Sequence, residues 1–211
     1  MKRVVKLIFL LFSILELRVY AQTVSEDEKI RLFLKGVERE EIKLLPQNRD
    51  VILINDYYYV NIAKEGASVI FNFIEDDVSG TIGGLDYSIQ LDTQHIEKTR
   101  IQGTAKVDEL DTDNFLRDGH LMWKKYFHEN KYPNISFEST KIQLKKGRNF
   151  IAEGTLQIKG ISKNVEIYFV LLETQLIGKT SINTVDFEIN IHEEKEKNKV
   201  DIKFVFPIIK T

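Results

Sequence analysis

Apolar and polar side chains alternate with a period of two over most of the chain that follows the turn signal Pro46-Gln47-Asn48. Such alternation is typical of β-strands with one buried face, because successive side chains point to opposite faces of a sheet. The predicted strand segments are Val69–Ile74, Val78–Ile82, Tyr87–Leu91, Ile101–Val107, Ile135–Ser139, Phe150–Ile158, Val165–Leu171, Ile182–Thr184, Phe187–Ile191 and Val200–Ile208. Turn residues separate several of them, at Gly83-Gly84, Lys146-Gly147, Lys159-Gly160 and Gly178-Lys179.

One helix is predicted within this region, over 116–130. Asp113 or Asn114 is a suitable cap for its start, and Pro133 prevents its continuation. Roughly eight to ten short strands without alternating helices predict an all-β fold, an antiparallel sandwich or barrel.

Large aromatic side chains are concentrated on one face of the predicted strands. They are Phe71, Phe73, Phe137, Phe150, Phe169, Phe187, Phe204 and Phe206. These rings form either an ordinary core or the wall of a cavity, because a barrel of about eight strands can be filled by side chains or hold one small ligand. Small residues on the same face, Gly80, Gly103, Ala105, Ala152 and Gly154, are expected to leave space. This combination favours a cavity.

The first residues have the pattern of a secretory signal. A basic start is followed by the uncharged apolar run Leu7–Leu15 and by small residues that end at Ala21. The run is about half the ~20 residues that a spanning helix needs, so we expect cleavage near Ala21, a periplasmic or secreted protein, and no stable membrane insertion afterwards. Cleavage changes the formal charge from −2 to −5, which does not favour binding to nucleic acid or to an anionic membrane surface.

Three parts of the chain are therefore predicted: a signal over 1–21, an N-terminal extension over 22–50 and a β-domain over 51–211. The extension has apolar residues at helical spacing but is interrupted by Gly36, so a helix and a strand pair both remain open.

The sequence offers little for catalysis or metal binding. There is no cysteine, and two of the four histidines, His120 and His128, lie eight residues apart, which would place them about 80° apart on a helix. Asp118 together with His120 suggests a nucleophile and general-base arrangement, but no serine lies in a nucleophile motif such as GxSxG. The carboxylates Asp76-Asp77 and the charged segment Ile191–Lys199, read as a hairpin tip, are expected at the surface. We predict that the protein is not an enzyme and that it holds no metal ion or cofactor.

The segment DTDNFLRDGHLMWKKYFHENKYPNISFEST, 111–140, has a more particular spacing. It resembles the central signature of the YceI-like family of exported bacterial lipid-binding proteins. The matching positions are Thr112, Asn114, Arg117, Asp118, His120, Leu121, Tyr126, Phe127, Lys131, Tyr132, Pro133, Phe137, Ser139 and Thr140. A second block, GTLQIKGISKNVEI over 154–167, is similar to a hairpin of the same family. The resemblance covers about 57–208.

The chain also departs from the family pattern at several positions. Tyr57-Tyr58-Tyr59 stands where relatives often have a tryptophan, and Gly66-Ala67-Ser68 stands where they have a His-Ser pair. Glu75 lies near another frequent histidine, and Phe187-Glu188-Ile189 lacks the usual glycine. These differences affect the expected ligand more than the expected fold.

The resemblance implies a lipocalin-like antiparallel barrel of about eight strands, with one short helix in the central connection. It implies a long-chain amphiphile inside, such as a polyisoprenoid, an isoprenoid quinone or a fatty-acid derivative, held by a carrier or reservoir. The expected ligand-binding residues of the interior are Phe71, Phe73, Ile89, Ile101, Phe137, Phe150, Leu156, Ile158, Ile167, Phe169, Phe187, Ile189, Phe204 and Phe206. The alternative is a cell-envelope interaction protein with a side-chain-filled barrel. A homodimer is compatible with either.

The helix residues of the motif have two open roles. Arg117 and Asp118 are expected to hydrogen-bond the connecting loop, and Leu121, Trp123 and Phe127 to plug or line one end of the barrel. In the rival role, Arg117 or His120 contacts a ligand headgroup, for which the planar fork of arginine suits a diphosphate.

Overall fold

The computed structural model describes residues 59–63, 65–92, 95–145 and 149–209. The predicted leader and N-terminal extension lie outside the described residues. Eleven strands form one antiparallel sheet: β1 Tyr59–Ile62, β2 Ser68–Phe73, β3 Val78–Ile82, β4 Asp86–Asp92, β5 Arg100–Lys106, β6 Leu110–Asp111, β7 Asn134–Leu144, β8 Asn149–Ile158, β9 Ile161–Leu171, β10 Gln175–Asn183 and β11 Lys199–Ile209. Within these ranges there is one α-helix, α1, which spans Phe115–Leu121 in the connection between β6 and β7.

The sheet curls into a barrel. Strands β4, β5, β7, β8, β9, β10 and β11 pair in that order, and β1 pairs with both β4 and β11, which closes a ring of eight strands. The closing seam is short, because β1 has two register pairs with each neighbour. The all-β barrel with one helix in its central connection is therefore confirmed.

Strands β2 and β3 extend the wall beyond β1. β2 pairs with β11 over Val200–Val205, and β3 pairs with β2 on its other side. The end of β3 returns to the β5–β6 segment, where the Gly83 amide donates to the Glu109 carbonyl at 3.0 Å and the Lys106 amide donates to the Gly83 carbonyl at 3.1 Å. The wall is thus continuous on the side of the barrel that carries α1.

The helix is shorter than the sequence predicts. Asn114 caps its start by accepting a hydrogen bond from the Arg117 amide at 3.1 Å, as expected for an Asn cap. After Leu121 the chain turns back on itself, because the Phe127 amide donates to the Leu121 carbonyl at 3.0 Å and His128 takes a positive φ of 55°. These turn contacts replace the helical ladder that was predicted as far as Asn130.

The prediction of a strand over Phe187–Ile191 is wrong. Thr184–Phe187 forms a 3-10 turn, and the buried Thr184 hydroxyl donates to the Ile189 carbonyl at 2.7 Å. The side chain of Asn198, fully buried at 0% exposure, then accepts from the Ile191 amide at 2.8 Å and from the His192 amide at 3.0 Å. Side-chain hydrogen bonds therefore take the place of a strand ladder, and 184–198 forms one long connection rather than a hairpin tip.

The predicted break at Gly178-Lys179 is also wrong, because both residues lie inside β10. Gly178 pairs with Phe169 of β9, and a Cβ at Gly178 would lie only 2.5 Å from the Phe169 ring. The glycine makes room for this ring instead of ending the strand. By contrast, Lys159-Gly160 is a two-residue hairpin turn as predicted, with positive φ at both positions.

The two ends of the barrel differ in how they are filled. The helix end carries α1, the Lys159-Gly160 turn and the connection 184–198, whereas the packed end carries the turns between β7 and β8 and between β9 and β10. A single cluster of buried apolar residues fills the packed end: Leu91, Ile101, Ile142, Phe150, Ala152, Ile167, Phe169, Leu171, Leu176 and Phe206. The helix end has two smaller clusters, one around Leu156 and Phe187 and one around Ile82 and Leu110.

Candidate ligand-binding site

A cavity lies inside the barrel, and the seven buried residues of the two helix-end clusters all face it. The space that the centre of a water molecule can occupy there measures about 250 Å³. Eight phenylalanines line it, together with many Val, Ile and Leu side chains from most strands. Among the described residues of the lining, two carry a charge, Asp76 and Arg117. The interior is therefore apolar, with charge restricted to two positions.

Thirteen of the fourteen interior residues predicted from the sequence line this cavity. The exception is Phe150, which lies in the packed end at 3% exposure and stacks on Phe169 with ring centroids 5.1 Å apart. The face of the strand on which Phe150 lies was predicted correctly. Its cross-strand partner Phe169, on β9, lies between Phe150 and the cavity. Whether the thirteen lining residues bind a ligand stays a prediction.

Several lining residues were missed by the sequence analysis. They are mostly aliphatic and share a strand face with residues that were selected: Val69, Ile135, Val165, Ile182, Val200 and Ile202. The same period-two alternation could have identified them, because each lies two or four positions from a predicted residue or within the same predicted strand. The prediction included only part of each strand face.

The expectation that glycines open the cavity is wrong at two positions. A Cβ at Gly80 would lie 2.5 Å from the Phe71 ring, and a Cβ at Gly154 would lie 2.5 Å from the Phe137 ring. Both rings therefore lie across the glycine of a neighbouring strand, an arrangement known to stabilise sheets. Because these glycines have no side chain, the two phenylalanine rings can lie over them, against the wall of the barrel. The cavity lies on the inner side of the wall.

A polar network fixes α1 at the edge of the cavity. Thr112, at 4% exposure, is at its centre. The Arg117 side chain donates from Nε to Thr112 Oγ1 and from Nη2 to the Thr112 carbonyl, both at 2.7 Å. The Asp118 carboxylate accepts from the Thr112 amide at 3.1 Å and from its hydroxyl at 2.5 Å. Arg117 and Asp118 thus hydrogen-bond the connecting loop, as the motif led us to expect.

The remaining motif residues divide between the two sides of this segment. Leu121 and Phe127 line the cavity, as predicted. Trp123 does not plug the barrel, because 60% of the residue is exposed, and it packs instead against the His120 ring, with centroids 4.6 Å apart. Asp118 and His120 have different partners and so do not form the acid-base pair considered from the sequence.

Contacts between connections hold the helix end together. Lys159 Nζ donates to the carbonyls of Glu188, at 2.8 Å, and Lys125, at 3.2 Å. His192 Nε2 lies 3.1 Å from an Asp76 carboxylate oxygen, and its ring stacks on Phe73. Asp76 was expected to be free surface, but this pairing places it at the cavity edge. No sequence pattern near Asp76 indicates a partner 116 residues away.

Other kinds of site were sought among the residues that the structure describes. No group of three His, Asp, Glu or Cys side chains is placed to hold a metal ion there. In the same part of the chain, no helix combines the length and the apolar character that a membrane crossing requires. Every buried side-chain nitrogen and oxygen of the described residues has a hydrogen-bond partner.

Comparison with known proteins agrees with this architecture. A sequence profile described as the YceI-like domain matches residues 60–207. A UPF0312 protein of Photorhabdus laumondii is 34% identical over 100 residues, which are 47% of this chain and 49% of that protein. Protein YceI of Salmonella newport is 28% identical over 123 residues, 56% of this chain and 61% of the relative. The chain thus spans about half the length of the curated relatives it matches.

A solved structure shows the same fold. The crystal structure of BcnA from Burkholderia cenocepacia superimposes with a TM-score of 0.65 and 19% sequence identity, covering 71% of this chain and 100% of the BcnA chain. The profile match extends over nearly the whole barrel and includes both the cavity wall and the Arg117–Asp118 segment. This chain therefore belongs to the YceI-like family.

Proposed function

We propose that this protein binds one long-chain amphiphile inside its barrel and serves as a carrier or reservoir for it. The observation that carries the proposal is the cavity, which eight phenylalanine rings line and which has charged residues at two positions. A polyisoprenoid, an isoprenoid quinone or a fatty-acid derivative each has a tail that suits such a wall. Export after cleavage near Ala21 remains part of the proposal.

The energetics favour a long tail over a small polar ligand. Burial contributes roughly 0.8 kcal/mol per methylene, so a tail of a dozen carbons outweighs a typical cost of immobilisation. Because every buried side-chain polar atom of the described residues is already satisfied, the protein makes few demands on the polar chemistry of a tail. Length and girth of the tail, more than its functional groups, should decide which molecules bind.

Arg117 gives the ligand a preferred direction. Its Nε and Nη2 atoms are used by Thr112, and the structure gives Nη1 no partner among the described residues. A headgroup with a phosphate or carbonyl oxygen could accept from this remaining nitrogen at the helix end. The tail would then extend along the barrel toward the packed end. His120 is a weaker candidate for this role, because it is exposed and packs on Trp123.

The alternative function requires a barrel filled by its own side chains. The packed end has this character, but the helix end does not, because its two apolar clusters leave the cavity between the strands. An interaction protein without a ligand would gain nothing from an unfilled interior, which costs stability.

Identification of a co-purifying molecule tests the proposal. The full-length chain is expressed in a bacterial host, purified without detergent, and analysed by native mass spectrometry and by lipid extraction. We expect a mass above that of the polypeptide and one dominant class of extracted lipid. A bare polypeptide mass, together with no uptake of any long-chain lipid offered in vitro, would overturn the proposal.

A pair of variants locates the bound molecule. Val165 lines the cavity from β9, and its neighbour Asn164 is exposed on the same strand. Val165→Trp should fill the cavity and remove the bound lipid, whereas Asn164→Trp should retain it. Equal lipid content in the two variants would place the lipid outside the cavity.

A further inference from the structure

Two of the three large apolar side chains of α1, Phe115 and Leu116, face solvent, which is unusual for a helix on a protein surface. Such a helix normally buries its apolar face and exposes its polar one. Here Arg117 and Asp118 face the barrel, where they bind Thr112, while Phe115 and Leu116 face outward. The exposed apolar side chains of this segment therefore suggest a binding partner on its outer side.

The outward side chains form the most exposed apolar group of the described residues. Phe115 is 82% exposed, Leu116 is 61% exposed and Trp123 is 60% exposed, and these are the three highest values among the large hydrophobic residues. Single exposed hydrophobics need no explanation, but a group of three within nine residues does. We refer to Phe115, Leu116 and Trp123 as the outer patch.

The outer patch is directly behind the cavity wall. Leu121 and Phe127, from the same segment, line the cavity on its inner side. The segment from Phe115 to Phe127 therefore has apolar side chains on both of its sides, and Arg117 and Asp118 fix it to the barrel through Thr112. A molecule held against the patch would lie next to the helix end of the barrel.

We propose that the outer patch docks this protein onto the surface of a lipid bilayer. Phe, Leu and Trp with adjacent lysines are the side chains of segments that lie in a membrane interface. The protein is acidic overall, but Lys124 and Lys125 follow Trp123 directly and are both exposed, so at this position they can meet anionic headgroups while the patch enters the acyl boundary. Lysine is depleted at the core of protein–protein interfaces, which favours a membrane over a second protein chain here.

Docking would bring the helix end of the cavity to the membrane, where a long-chain lipid could enter or leave. That use rests on the function proposed above, but the docking itself does not. The two can therefore fail separately in experiments.

The single tryptophan of the chain provides a direct test, because Trp123 belongs to the outer patch. The purified protein is mixed with vesicles of phosphatidylethanolamine and phosphatidylglycerol. We expect the tryptophan emission to shift to shorter wavelength and brominated lipids to quench it. Unchanged emission with no flotation of the protein would overturn the proposal.

Matched variants distinguish docking through the outer patch from non-specific hydrophobic adsorption to vesicles. Phe115→Ser with Leu116→Ser should weaken vesicle binding about tenfold or more, because two bulky apolar contacts are lost. Leu144→Ser removes a comparably exposed hydrophobic, at 58% exposure, from β7 toward the packed end and should bind vesicles as the unmodified protein does. Circular dichroism and thermal unfolding should be unchanged in both, since all three side chains are exposed. Equal weakening in the two proteins would overturn the proposal.

Three further outcomes are informative. If Trp123 emission is already shifted without vesicles and the protein is a dimer that Phe115→Ser dissociates, a second copy covers the patch and the proposal fails. If Val165→Trp loses its lipid but floats with vesicles as before, docking stands independently of cavity loading. If instead lipid is never found in any variant while docking persists, the proposed function fails and the docking surface remains.

Discussion

The packed end and the helix end of one barrel use the same strands and the same alternation, yet one is filled by side chains, four of which border the cavity, and the other is hollow. At the packed end, Leu176 and Ala152 are completely buried and Phe150 stacks on Phe169. At the helix end, the buried residues separate into two clusters that both face the cavity.

The connections account for much of this difference. Short turns join the strands at the packed end, such as the one between Leu171 and Gln175, and let facing side chains meet. At the helix end the connections from Lys106 to Asn134 and from Asn183 to Lys199 are long and organised by polar side chains. They span the opening without filling it. The Phe71 and Phe137 rings lie over Gly80 and Gly154, so these rings take up space that a side chain at either glycine would need.

The largest effect should come from a truncation in the packed end. Phe150→Ala removes a ring that is 3% exposed and does not line the cavity, so we expect a loss of about 3–5 kcal/mol in the free energy of unfolding. Phe204→Ala removes a half-buried ring of the cavity wall and should cost about half as much or less. Chemical denaturation measures both. Equal losses would mean that the two ends are equally packed.

A smaller effect should follow from adding one methyl group beneath a ring. Gly178→Ala places a Cβ 2.5 Å from the Phe169 ring, and we expect a destabilisation of about 1–3 kcal/mol from overpacking. Gly119→Ala is the matched control in α1, where nothing lies within 4 Å of the new Cβ. It should stabilise the protein by about 0.5–1 kcal/mol, because alanine favours a helix. Thermal unfolding measures both variants. An unchanged melting temperature for Gly178→Ala would show that the Phe169 ring can move to accommodate the new methyl group.

At the helix end, the central prediction concerns the network around Thr112. Thr112→Val removes the hydroxyl that binds both Arg117 and Asp118, and we expect a loss of about 1–2 kcal/mol with faster amide exchange in α1. Thr140→Val removes an exposed hydroxyl hydrogen bond of β7 and should change stability by less than about 0.5 kcal/mol. If exchange quickened only at the packed end, the network would not be what holds α1.

The smallest effect is a pH dependence at the boundary of the two ends. Tyr87 lines the cavity, contacts Phe206 and donates its hydroxyl to the Ala63 carbonyl. Burial raises the pKa of the Tyr87 phenol above its usual value of about 10. The unfolded chain therefore loses this proton first, so the stabilisation is complete below about pH 10 and falls as the pH rises through the folded-state pKa.

Other tyrosines also titrate in this range, so the measurement is a difference. Denaturation midpoints of the unmodified protein and of Tyr87→Phe are compared from about pH 8 to about pH 11. Tyr87→Phe should show the shallower alkaline decline. Parallel curves would indicate that Tyr87 is as solvated as in the unfolded chain.

The fold could be predicted well from the sequence because alternation and turn residues are local signals. The Asn114 cap and the Lys159-Gly160 turn are visible in a few consecutive residues. Phe187–Ile191 was misread because its alternation is that of a strand, while the contacts that bend it come from Thr184 and Asn198. Alternation shows which face a side chain takes but not what bends the backbone.

The site was harder to predict because it depends on pairs of residues distant in sequence. Phe150 has the same local pattern as the cavity residues, and only its stacking on Phe169 of the neighbouring strand, which does line the cavity, separates it from the lining. The glycines under Phe71 and Phe137 mislead for the same reason, because register decides which ring covers them. Trp123 was expected to plug or line one end of the barrel, but the sequence does not specify on which side of this segment a large apolar residue lies.

The short seam at β1 has a mechanical consequence for the barrel. β1 contributes two register pairs to each neighbour, whereas β8 and β9 share ten. Few backbone hydrogen bonds therefore hold the seam closed. Its stability depends mainly on the side chains of the packed end, against which Ile62 of β1 packs. Loosening that packing, as in Phe150→Ala, should therefore speed amide exchange at Ile62 before it affects the hairpin at Ile158 and Ile161.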